Sequence, residues 1–186
     1  MDACIYIRGY FFDKDRPILK EYVKELKTYN VELYIENLKG MFLNASLDFV
    51  PLEIIAISFE FIKSFVFSGS YDIIKRYIIN LWNLAKKEYD YVPFTIRIGG
   101  IPTENGEETI GCQFSEPLSD ELKALAINRA FDLASQIEQH QFELLTKSRY
   151  YDAVGGHIFS YEKGDGSFSE IDVDKEVDRR QNGDYK

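Results

Sequence analysis

The stretch PLEIIAISFEFIKSFVFSGS, residues 51–70, is the most apolar run of the chain, and it decides whether the protein can belong in a bilayer. Eleven apolar residues fall between positions 51 and 68, but Glu53, Glu60 and Lys63 interrupt them. A charge near the centre of a bilayer costs about 2.5–3.5 kcal/mol, whereas each Leu, Ile or Phe returns only about 0.3–0.6 kcal/mol. The uncharged runs also fall well short of the roughly 20 residues that a spanning helix needs. The segment must therefore be covered by protein. Ile55, Ile57, Phe59 and Phe61 alternate with Ser58 and Glu60 as in a strand. Pro51 in a first turn, Glu53 at the positive end of a dipole and Gly69 as a cap favour a helix instead. On that helix Glu53, Glu60 and Ser64 form one narrow polar stripe. The expectation is a helix over 51–68, buried on most of its circumference.

The flanking patterns supply what would cover it. Residues 3–8 read as a strand, Pro17 opens a helix with Ile18, Leu19, Tyr22, Val23 and Leu26 on one apolar face, and VELYIE alternates as a second strand. A β-α-β start of this kind favours two parallel strands. Residues 37–50 read as a loop or short helix, and Ser68-Gly69-Ser70 as a turn into a helix with Ile73, Ile74, Tyr77, Ile78, Leu81, Trp82 and Ala85 on its apolar face. Asp72 at its start and Lys86 and Lys87 at its end suit the dipole. Residues 94–98 alternate as a strand, Asn105-Gly106 turns a hairpin, and Ile110, Cys112 and Phe114 lie on the returning strand. Ser119 starts a long helix reaching at least Gln139, and two short strands flank Gly164-Asp165-Gly166. The fold class expected is α+β of α/β type. It is a single domain in the order β-α-β-α-α-β-β-α followed by a C-terminal β-hairpin, with one mixed sheet packed by helices. Residues 1–150 make the globular domain, 151–175 the appended hairpin and 176–186 a frayed polar tail.

With 31 acidic against 22 basic residues the net charge is −9, a field that repels phosphate backbones. The best basic cluster, Lys20, Lys24 and Lys27, is interleaved with Glu21 and Glu25, so nucleic-acid binding is not expected. Two cysteines exclude a disulfide scaffold, and Asp2 in an N-terminus without a long apolar run does not resemble a secretion signal. The expected location is the cytoplasm, where the sequon at Asn44 carries no meaning.

Chemistry-bearing patterns are sparse. Cys112 points with Ile110 and Phe114 into the core, which makes it inert, and His140 near a helix end is exposed. Only His157, after Gly155-Gly156, stands where a site histidine would. The histidines lack zinc spacing, and Glu170, Asp172, Asp174 and Glu176 read as the solvated face of a strand rather than a cation site. Ser68-Gly69-Ser70 lacks the glycine pattern of a phosphate cradle. No catalytic residue, metal or cofactor is named on this basis. The chain is rich in aromatics, with 13 Tyr and 14 Phe, which makes a contact surface worth seeking. The candidate is Tyr150, Tyr151, His157, Phe159 and Tyr161, which either form an interaction surface or close the core beneath the terminal hairpin.

The reading that follows is a non-catalytic interaction module: an adaptor, a regulator or an acidic inhibitor of the immunity type. It would engage a protein partner, a basic one suiting the charge, or a second copy of the chain, without stable membrane insertion. One alternative is a small carboxylate- and histidine-based hydrolase, favoured if His157 lies in a cleft with two acidic groups. The other is a conditional membrane-active protein that swings out the 51–68 helix.

Overall fold

The computed structural model describes residues 3–9, 11, 13–37, 53–68, 71–85 and 94–182. The readings of a loop over 37–50, a first turn at Pro51, a turn at Gly69-Ser70, basic residues at 86 and 87 and the Asn44 sequon fall wholly or largely outside the described residues.

One mixed sheet of seven strands organises the chain. Its elements are β1 (Ala3–Gly9), α1 (Arg16–Thr28), β2 (Val31–Asn37), β3 (Glu53–Ser58), α2 (Phe59–Ser68), α3 (Tyr71–Ala85), β4 (Phe94–Thr103), β5 (Gly106–Phe114), α4 (Asp120–Glu138), α5 (Tyr151–Val154), β6 (His157–Glu162), β7 (Ser167–Glu170) and α6 (Val173–Gln181). The strands lie in the order β2-β1-β3-β4-β5-β6-β7. Parallel pairs β1–β2, β3–β4 and β5–β6 are each joined through helices, and β4–β5 and β6–β7 are antiparallel hairpins. The α+β class, the single mixed sheet and the parallel β-α-β start are as the sequence predicts.

The apolar segment departs from expectation in an instructive way. It is not one helix: residues 53–58 are the strand β3, and the chain enters α2 directly at Phe59. Ser58 makes the switch, its Oγ accepting the backbone N–H of Phe61 at 3.2 Å in the manner of a helix N-cap. Ile55 and Ile57 are buried by alternation, and Phe59, Phe61 and Ile62 by the helix that follows. No helix among the described residues is long and apolar enough to cross a membrane. The carboxylates at 170–176 do not share a strand face either. Glu170 ends β7, and Asp172 caps α6 by accepting the Lys175 N–H at 3.0 Å. Helix α6 extends through the first part of the tail expected to fray, and Val173 and Val177 are buried beneath it.

Helices α1–α4 cover one face of the sheet and share its main core. Trp82 of α3 stacks on Phe94 with ring centroids 4.3 Å apart and tilts against Phe114 at 4.8 Å, locking the helix to the central hairpin. On the opposite face α5 and α6 cover only the β6 end, where Val154, Ile158, Val173 and Val177 form a smaller cluster. Phenols tie the helices together: Tyr71 donates to Asn128 of α4 at 2.6 Å, and Tyr77 donates to Glu25 of α1.

Burial first, then Asp132 and Asp72, pushes the Tyr71 phenol up to about 12, and burial followed by the bond to Glu25 does the same for Tyr77, to about 12. The unfolded chain releases these protons near pH 10. Their contribution is therefore whole below pH 10 and lost as pH rises toward 12. Urea midpoints should fall steeply between pH 10 and 12, and the double variant Tyr71→Phe/Tyr77→Phe should show a shallower fall. An unchanged slope would remove these two phenols as its cause.

Candidate functional site

Alternation along three neighbouring strands brings Glu108, His157 and Glu170 together on the α4 side of the sheet. Glu108 of β5 lies two residues before Ile110, whose partner across β6 is His157, and Phe159 of β6 faces Glu170 of β7. Their side chains are only 5–6% exposed. Buried charge is tolerated only where it is paired, and here it is. His157 Nδ1 lies 2.6 Å from Glu170 Oε1, while Leu145 N–H donates to Glu170 Oε2 at 2.9 Å. On the other side Tyr151 donates to Glu108 Oε2 at 2.8 Å and Lys147 Nζ lies 3.0 Å from Glu108 Oε1. The Tyr151 ring stands edge-on to His157 at 5.4 Å, and the Lys147 ammonium sits over that ring at 4.5 Å.

The two ring nitrogens of His157 differ. A carboxylate at 2.6 Å holds the proton on Nδ1, which leaves the Nε2 lone pair free in the neutral ring. Nε2 is 3.8 Å from Glu108 Oε2, too far for a direct hydrogen bond. Burial, followed by the bond to Glu108, raises the Tyr151 phenol above its ordinary value, so it stays a proton donor. Glu108 likewise raises the Lys147 ammonium and keeps it charged.

The irregular segment 142–148 straps this cluster. Phe142 packs edge-on against Phe159 at 5.5 Å, and the Leu145 N–H holds Glu170. A cleft of about 600 Å³ opens on one side of the strap, with Glu104, Glu108, Glu143 and His140 among its lining. Another of about 350 Å³, lined by Tyr151 and Glu170, opens on the other. His157, Leu145, Thr146 and Lys147 line both. Such volumes fit a small molecule. Among the described residues no group of three or more His, Cys, Asp or Glu is arranged to hold a metal ion.

The five residues singled out from the sequence do not form one exposed surface. Tyr151 and His157 meet in the cluster. Phe159 is fully buried in the core, and Tyr161 packs against Phe114 and Phe168, each at 5.3 Å. Tyr150 is half-buried against the α6 cluster. Cys112 is buried as expected, its thiol pushed up by burial, and His140 is exposed at the mouth of the larger cleft. Glu108 and Lys147 were missed, and Glu170, read from the sequence as part of a solvated strand face, has a buried side chain. Glu108 left a signal: in GEETIGCQF it shares the inward register of Ile110, Cys112 and Phe114, where a charge demands a partner.

No family model, no curated protein and no solved structure matches this chain.

Glu170→Gln removes the charge that both His157 and the strap lean on. It should cost about 1.5–3 kcal/mol in urea unfolding and open segment 142–148 to proteolysis. Wild-type stability together with unchanged cleavage would show that the strap is held elsewhere.

Proposed function

We propose that the chain is a small hydrolase in which His157, oriented by Glu170, activates a water molecule against a substrate held in the adjoining cleft. The observation that carries this reading is a buried histidine clamped at Nδ1 by one carboxylate, with Nε2 unbonded beside a second. In this scheme Nε2 takes a proton from water as the water oxygen bonds to the acyl carbon. Glu170 stabilises the imidazolium formed, and the proton then passes to the leaving group as its bond to that carbon breaks. Lys147, on the cleft wall, is the cation placed to meet negative charge on the attacked centre. Glu108, fastened by Tyr151 and Lys147, stands on the Nε2 side of the ring, its Oε2 3.8 Å from that nitrogen. Glu104, Glu108 and Glu143 in the lining disfavour anionic substrates, so the reading specifies a neutral or cationic ester or amide with an apolar part to meet Phe142 and Leu144.

A panel of neutral and cationic p-nitrophenyl esters and anilides tests it. Wild-type protein should accelerate at least one above buffer, and His157→Gln should lower kcat by about 10²–10⁴-fold. No acceleration across the panel, or a His157→Gln rate equal to wild type, would sink the proposal.

One observation favours the second reading, a non-catalytic interaction module. Between α1 and β2 lies a groove of about 480 Å³, walled by Phe11, Leu19, Val23 and Ile35, with Arg16, Lys20 and Lys24 along it. Apolar walls beside cations suit an acidic segment of a partner protein carrying apolar anchors, rather than the basic partner that net charge alone suggests. Display of peptides with Phe or Leu flanked by Asp and Glu should enrich binders that Val23→Asp and Lys20→Glu/Lys24→Glu both lose. Failure to enrich, or binders indifferent to these changes, counts against it.

A further inference from the structure

The sheet face opposite α1–α4 carries a cleft of about 580 Å³ near the centre of the sheet, away from the His157 cluster. Arg97 stands in β4, opposite Ala56 of β3 and Gly111 of β5. Its guanidinium lies against the bare backbone of Gly155, where a Cβ would sit 2.4 Å from Cζ, and Nη2 donates to Val154 O at 2.8 Å. Its Nε is shielded from solvent and has no hydrogen-bond partner. Arg8 on β1 also buries an Nε without a hydrogen bond, but its charge is met by Glu36, 3.5 Å away. Among the described residues no carboxylate lies within ion-pair distance of Arg97. Burial holds its guanidinium below the ordinary arginine value, and the neighbouring Arg8 charge adds to that effect.

A half-buried guanidinium paired with one carbonyl is left short of counter-charge. Its planar fork matches the two oxygens of a carboxylate or phosphate. Tyr6, Ser58 and Thr109 line the same cleft, and Gly99 and Gly100 leave its wall free of side chains, which admits a ligand close to the backbone. Glu60 and Glu107 also line it, but both are exposed, so water and salt screen their charge more than that of Arg97. We propose that this cleft binds a small-molecule oxyanion, a carboxylate or phosphate group, with Arg97 as its anchor.

Calorimetric titration of the full chain with inorganic phosphate and, separately, with benzoate at constant ionic strength tests the proposal and tells the two groups apart. Saturable binding of one of them is expected, weakened at least tenfold in Arg97→Met. Gly99→Val fills cleft space and leaves the Arg97 bond to Val154 in place. It should abolish binding while the thermal midpoint in chloride stays at the wild-type value, so the test survives if Arg97→Met fails to fold. Absence of saturable binding by wild type, or equal binding by wild type and Gly99→Val, overturns the proposal. Neither outcome bears on hydrolysis at His157, which lies on the other face.

Discussion

Two glycines let the chain pass closer to the sheet than any side chain would permit, and the placement of both clefts depends on that approach. A Cβ on Gly156 would lie 2.1 Å from the carbonyl oxygen of Thr109, and one on Gly155 would lie 2.4 Å from the Arg97 guanidinium carbon. Both residues also adopt positive φ, +120° and +75°, which L side chains rarely tolerate. The next residue is His157, which opens β6 in register with Ile110. A wider turn would move the imidazole off the line that joins Glu108 to Glu170, and would lift the backbone from the guanidinium on the other face. Gly155-Gly156 is thus the hinge on which the chemistry of two strands is set.

The interior charges divide into a satisfied set and an unsatisfied one. Glu108 receives Tyr151 and Lys147, and Glu170 receives His157 and the Leu145 N–H, so each of these two carboxylates has two donors. Only the Nε2 of His157 stays unbonded in that network, and that atom is the one a reaction would use. Arg97 is the converse, with one carbonyl and a buried Nε without a partner. Buried polar groups in folded proteins are overwhelmingly paired, so exceptions are where a ligand changes the energy most. In a chain of net charge −9, a cation left short of counter-charge stands out further, because exposed carboxylates abound to pair it.

Elements announced by local chemistry were legible in the sequence. Pro17 does stand in the first turn of α1, and Ser119 does cap α4, its Oγ accepting the Leu122 N–H at 3.4 Å. The strands flanking the Asn105 turn and the Gly164–Gly166 turn are present, although β4 shifts register between Ile98 and Ile101 and the first turn is Glu104-Asn105, with Gly106 already in β5. The 51–68 segment was misread because its true boundary, Ser58, lies inside an apolar run and is flanked by apolar residues that both strand and helix accept. Length argued against a single strand, and the possibility of two elements in direct succession carries no breaker residue to reveal it. The site was half legible. His157 was conspicuous beside two glycines, but its carboxylates come from strands whose pairing the chain order leaves open. Tyr150, Tyr151, Phe159 and Tyr161 are close in sequence, yet turn and strand geometry sends them to different environments.

Strand β5 explains how so small a domain carries two separate clefts. Glu108 faces the α4 side and Thr109 the other, as successive residues of a strand must. The Tyr151 hydroxyl bridges the two, accepting the Thr109 N–H at 3.4 Å while donating to Glu108 at 2.8 Å. The clefts therefore share the β5 backbone, but none of the side chains that give each its charge. A side-chain replacement at His157 or at Arg97 addresses one cleft alone. A change at Gly155, Gly156 or Tyr151 disturbs their common support, so a loss of function there cannot be attributed to either.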